Sequence, residues 1–194
     1  MKNILILGAN GQLARNTTRV FLERSDARLT LYLRRANRLP NPDPPRVTIV
    51  EGNVLDPKTL QAAMHGQDAV YANLNGPMAQ QAKTIVDAMH AADLKRLIFI
   101  SSLGIYGEVP EESYRNVLDP YRDSAAVIEA SDLDYTIVRP GWFTHDGEID
   151  YQLTQKGEPF LGHEVSLNSL SDLIVKLALS PTLEARRSLG VSRA

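Results

Sequence analysis

The stretch Ile4–Ala14, "ILILGANGQLA", decides how the rest of the chain is read. Ile4–Leu7 is an unbroken apolar run of β-formers, the pattern of a strand buried on both faces. Gly8 and Gly11 follow three residues apart, and Leu13, Val20, Phe21 and Arg24 then recur along one side of a helix. A buried strand running through a glycine turn into a helix is the opening unit of an alternating α/β chain.

Outward from that unit the alternation continues. Leu29–Leu33 reads as a second strand and Val47–Val50 as a third. Between them Pro40–Pro45 holds four prolines, which excludes helix and central strand. Asp56 and Pro57 supply a helix cap and first helical position, Leu60, Ala63 and Met64 face inward, and Gly66 ends the helix. Ala69–Ala72 is a short strand, and Met78, Ala82, Ile85, Val86 and Met89 trace a helical stripe. Arg96–Ile100 is the fifth strand, a second Asp-Pro at Asp119 starts another helix, and Tyr135–Val138 is the sixth strand, running into Arg139-Pro140-Gly141. A last helix carries Leu170, Leu173, Ile174, Leu177 and Ala178, with its start at Ser169…Asp172 and its stop at Pro181.

This order specifies a doubly wound parallel sheet with helices on both faces. The 194 residues are expected to form one domain, with residues 141–168 as a small substrate-side or lid segment. Hydrophobic residues make up 43% and charged residues 23%, and the formal net charge of −2 provides no field for nucleic acid. Without cysteine there is no disulfide framework, thiolate metal site or cysteine nucleophile. The four histidines lack metal-ligand spacing, so no metal is expected. The apolar start is too short for a signal segment or a membrane span, and a cytoplasmic location is expected.

In such sheets ligands bind outside the carboxyl ends of the strands. After the first strand, Gly8, Asn10, Gly11, Gln12 and Leu13 form a turn that lets main chain approach a pyrophosphate at a helix N-terminus. Two glycines would equally serve a plain strand-to-helix turn. After the second strand, "LYLRRANRL" has Arg34, Arg35 and Arg38 and no carboxylate. Guanidinium groups suit a 2′-phosphate, where a site preferring NAD places an acid, so NADP(H) is expected over NAD(H). Asn53 and Val54 stand where an adenine ring would be flanked, and Ala72, Asn73 and Leu74 approach the ribose side.

After the fifth strand come Ser101, Ser102 and Tyr106, and Tyr121 follows in the first turn of a helix. A serine and a tyrosine beside a nicotinamide can polarise a carbonyl and protonate its oxygen. A phenol, with a reference pKa of about 10, normally needs a nearby cation for this. The i+4 residue from Tyr121 is Ala125. After the sixth strand, Trp142 and Phe143 could cover a planar substrate or belong to the core.

On these motifs the chain resembles the atypical short-chain dehydrogenase/reductase proteins with a Rossmann-type fold. Within them it looks like the NAD(P)H-binding group of NmrA-like and biliverdin/flavin-reductase-like proteins. The resemblance runs from "ILILGANGQLA" through "LYLRR", "GNVLD" and "GQDAVYANLNG" to "RLIFISSLGIYG" and "LDYTIVRPGW". It implies a catalytic role for Ser102, four residues before Tyr106, and aligns Tyr121 with the tyrosine of Tyr-x-x-x-Lys, whose lysine is Ala125 here. It also implies that Arg34 meets the 2′-phosphate. Members often pair through helices on one sheet face, so a homodimer is the protein partner the resemblance allows. The short chain beyond Gly141 disfavours a nucleotide-sugar substrate. The expected function is therefore an NADPH-dependent reductase of a small planar acceptor. The alternatives are a non-catalytic NADP(H) sensor of the NmrA type and a conventional carbonyl dehydrogenase in which Tyr121 borrows another cation.

Overall fold

The computed structural model describes residues 1–193. Strands β1 (Asn3–Leu7), β2 (Arg28–Leu33), β3 (Val47–Glu51), β4 (Ala69–Ala72), β5 (Arg96–Ile100) and β6 (Asp134–Pro140) contain the six apolar runs read from sequence. With β8 (Gln152–Thr154) and β10 (Arg187–Ser192) they make one sheet in the order β3-β2-β1-β4-β5-β6-β10-β8. Every pairing is parallel except β8 on β10. The strand order turns back between β1 and β4, and in open sheets of this kind the ligand crevice lies at that reversal.

Helices α1 (Gln12–Arg24) and α5 (Leu167–Leu179) pack together, and so do α3 (Met78–Ala91) and α4 (Asp119–Glu129), with α2 (Pro57–Met64) against α3. Strand side chains alternate between two apolar cores. Ile4, Ile6, Leu29 and Leu31 join Phe21, Leu170 and Ile174, whereas Leu5, Leu7, Tyr32 and Phe99 join Leu60, Ile85 and Ile128. Asp56 caps α2 by accepting from the Lys58 and Thr59 amides and from the Thr59 hydroxyl, which holds its carboxyl below the usual range.

The last helix starts earlier than Ser169. Ser166 is its cap, accepting from the Ser169 amide at 2.9 Å, and Ser169 is a buried first-turn residue. The segment after Gly141 contributes strands the sequence did not announce. Residues β7 (Trp142–Thr144) and β9 (Glu164–Ser166) pair as a separate parallel ribbon, and β8 lies on the edge of the main sheet. Arg96, buried beneath α5, donates to the carbonyls of Leu177, Leu183 and Asp134, so its charge holds the end of that helix. Among the described residues, no helix is long and apolar enough to cross a membrane.

Candidate functional site

The carboxyl ends of the strands open into two cavities. The first, about 580 Å³, is lined by Gly8, Asn10 and Gly11 from the β1–α1 turn and by Tyr32, Arg34, Arg35 and Arg38 from the end of β2. Gly52, Asn53 and Val54 after β3, with Asn73, Leu74, Asn75 and Gln81 after β4, complete it. Gly8 has φ +75, and a Cβ there would stand 2.0 Å from the Asn73 carbonyl oxygen. No L side chain fits that turn, so the main chain passes unusually close to the β4 loop. Gly11 precedes α1 with no side-chain cap, which leaves first-turn amides free at the positive end of the helix.

Arg34, Arg35 and Arg38 are exposed and, among the described residues, make no ion pair. A carboxylate at this end of the sheet, Glu51 on β3, accepts from the Ala36 amide at 2.8 Å. Tyr32 forms the floor, its hydroxyl donating to the Asn53 carbonyl at 3.0 Å. Burial, with Asp56 nearby, pushes its pKa up to about 12. These features fit a dinucleotide carrying an extra phosphate: free amides beside a glycine turn for the pyrophosphate, and uncompensated guanidinium groups for the 2′-phosphate.

The second cavity, about 490 Å³, lies at the ends of β5 and β6. Ser101, Ser102 and Leu103 bound it on one side, and Pro140, Gly141, Trp142 and Phe143 on the other. The long β5–α4 loop closes it with Val109, Tyr114, Arg115, Val117 and Leu118, and Tyr121 enters from α4. Trp142 is 63% and Phe143 39% exposed, so they form an open apolar rim and are not core. The buried Ser101 hydroxyl has no partner among the described residues. Ala125 is completely buried, and the charge of Arg122 is taken by Asp119 and Asp123.

Beneath this cavity the loop is held by a buried ion pair between Arg139 and Glu108. The Glu108 carboxylate also accepts from the amides of Gly104 and Tyr106, at 3.0 and 2.9 Å. That arrangement turns Tyr106 away from the cavity. Its ring lies 5.1 Å from the Arg139 guanidinium and 4.4 Å from Lys156 Nζ, and its hydroxyl donates to Glu129 at 2.9 Å. Burial pushes this phenol well above its ordinary value.

Of the residues expected to meet a cofactor, Gly8, Asn10, Gly11, Arg34, Arg35, Asn53, Val54, Asn73 and Leu74 all line the first cavity, while Ser101 borders the second. Leu13, Ala72 and Gln12 stand differently, and one expectation, that for Tyr106, needs correction. The Leu13 and Ala72 side chains are packed in the core, 1% and 0% exposed, so they can offer only main chain. Gln12 points to the rim, where its amide meets His145 Nε2 at 2.5 Å and ties α1 to the loop after β7. Tyr106, expected at the substrate, belongs to the ion-pair cluster behind it, whereas Ser102, Tyr121, Trp142 and Phe143 share the second cavity. Gln81 and the loop from Val109 to Leu118 went unnoticed in the sequence. Apolar Val117 and Leu118 at the end of an otherwise polar loop were the available signal. Among the described residues, no cluster of histidine and carboxylate side chains could hold a metal.

Comparison with known proteins agrees with this geometry. A family model described as NAD(P)H-binding matches residues 8–181. A Rossmann-fold NAD(P)-binding family protein from Shigella flexneri superposes with a TM-score of 0.89 and 41% identity, over 100% of this chain and 94% of that one. A short-chain dehydrogenase/reductase from Veillonella parvula DSM 2008, solved in complex with NADP, gives a TM-score of 0.89 and 31% identity, over 99% of this chain and 94% of that one. The Bacillus subtilis protein named uncharacterized sugar epimerase YhfK is 27% identical over 154 residues, covering 71% of each chain.

Proposed function

The chain belongs to the NAD(P)H-binding family, and from that premise we propose that it is an NADPH-dependent reductase of a small planar acceptor such as a quinone, a flavin or a related carbonyl. The single observation that carries this reading is the aromatic-rimmed cavity, which borders Ser101 and Ser102 at the end of β5. The adjacent β4 ends at the wall of the dinucleotide cavity.

Reduced nicotinamide supplies a hydride when bound. The protein's own part is to orient and to desolvate. The first cavity would hold the pyrophosphate on free amides and the 2′-phosphate on Arg34 and its neighbours, which supports NADP(H) over NAD(H). In the second, Trp142 and Phe143 can lie against a flat ring and keep water from it, while the Ser102 and Tyr121 hydroxyls can donate to an acceptor oxygen. Ala125 stands where a lysine would support Tyr121, and a quinone or flavin needs none, because its reduced form takes a proton from water. The Veillonella relative bound to NADP supports the choice of cofactor.

The competing reading, a non-catalytic NADP(H) sensor, draws on buried Ala125 and on the pairing of Arg122 away from Tyr121. Following NADPH oxidation at 340 nm with a panel of quinones, flavins and carbonyls separates the two. Turnover with at least one acceptor is expected. A silent panel, with NADPH shown to be bound, would overturn the reductase reading in favour of the sensor.

A further inference from the structure

Gln81, in the first turns of α3, lines the dinucleotide cavity while being 9% exposed. Its Nε2 donates to the Asn75 carbonyl at 3.1 Å. That bond fixes which way round the amide sits, because a flipped amide would set two acceptors against each other. The other end, Oε1, is buried and finds no donor among the described residues. An unsatisfied buried acceptor is costly, and native proteins rarely keep one without a use for it.

In the same cavity Asn53 presents the opposite polarity. Its Oδ1 accepts from the Leu55 amide at 3.0 Å, which leaves Nδ2 as a free donor on an exposed side chain. Val54 and Leu74 supply apolar surface in the same cavity. A flat base between them would therefore meet an acceptor on Gln81 and a donor on Asn53. The last torsion of a glutamine is broad, so the amide can turn Oε1 toward a ligand by loosening its bond to the Asn75 carbonyl.

We propose that Gln81 is a specificity-determining residue that selects adenine by accepting a hydrogen bond from its exocyclic amine. Adenine offers that donor beside ring-nitrogen acceptors, whereas hypoxanthine replaces the amine with a carbonyl oxygen and would set it against Oε1. This inference rests on the first cavity being the dinucleotide site.

The test is calorimetric binding of NADP⁺ and of its hypoxanthine analogue to the wild-type chain and to Gln81→Met. The wild type is expected to bind NADP⁺ about 10-fold or more tightly than the analogue, the value of one lost hydrogen bond with an acceptor left buried. In Gln81→Met that preference falls toward equality, mainly through weaker NADP⁺ binding. Equal affinities in the wild type overturn the inference without any variant. An unchanged preference in a Gln81→Met protein that melts like the wild type overturns it as well. If the wild type binds neither nucleotide, the dinucleotide site itself is wrong, and the inference falls with it.

Discussion

At the ends of β1 to β4 the cavity wall is made of main chain and fixed charge, whereas at the ends of β5 and β6 it is made of aromatic side chains carried by loops. The first wall is set by the geometry of the sheet: a glycine turn, an uncapped helix and arginines on the strand end. The second depends on a loop braced from beneath by Glu108 and Arg139. A ligand part that never changes, such as a pyrophosphate, can be read by backbone. A ligand part that differs among relatives is read by replaceable side chains on a braced loop.

The contrast breaks most visibly if the brace is removed. Arg139→Met leaves the Glu108 carboxylate buried and unpaired, at a cost of about 3–5 kcal/mol. The melting temperature should drop by roughly 10 °C for a chain of this size. Acceptor turnover should suffer while the remaining folded protein still binds NADP⁺. An unchanged melting curve would show that the loop is held some other way.

Gly8→Ala attacks the other wall. Its φ of +75 and the 2.0 Å approach of a Cβ to the Asn73 carbonyl oxygen force the turn apart. NADP⁺ affinity should fall about 100-fold, equivalent to about 2.7 kcal/mol, as measured by calorimetry. Retained affinity would mean that the turn relaxes freely and does not shape the site. Trp142→Ala should lower kcat/KM for the acceptor about 10-fold, the loss of one aromatic contact, and leave the NADP⁺ Kd within about two-fold. A matching loss of NADP⁺ affinity would join the two cavities into one.

A last and smaller effect concerns three phenols that burial keeps neutral. Burial raises the phenols of Tyr32, Tyr71 and Tyr106. A raised phenol stays neutral in the fold. Its contribution to stability is therefore full below an unfolded pKa of about 10 and is lost as pH rises beyond that. Ultraviolet titration should show these three silent until the protein opens in alkali. Early ionisation of Tyr106, tested by its absence in Tyr106→Phe, would place that ring nearer to solvent and to the second cavity.

The sheet was legible because strands β1 to β6 are continuous apolar runs, a pattern that needs no knowledge of neighbours. Strands β7, β8 and β9 span three residues each and carry no period, and β10, "RSLGVS", mixes serine and glycine. β10 is buried by pairing with β6 and by Phe160 against Gly190, partners far away in sequence. The first cavity was legible for the same reason as the strands, since its residues follow strand ends directly. Tyr106 was misplaced because spacing within "SSLGIYG" says nothing of Arg139 and Glu129, which capture its ring and hydroxyl. Gln81 was invisible because it flanks the apolar stripe of α3, and only the fold shows which of its atoms lacks a partner.

The wall with arginines at the end of β2 is proposed to hold a 2′-phosphorylated dinucleotide. Titrating NADPH and NADH into the protein, with Trp142 fluorescence or calorimetry as the readout, tests it directly. NADPH is expected to bind about 10- to 100-fold tighter, the worth of one or two charge-assisted contacts, with most of that margin lost in Arg34→Ala. Equal affinities, or tighter NADH binding, would contradict it.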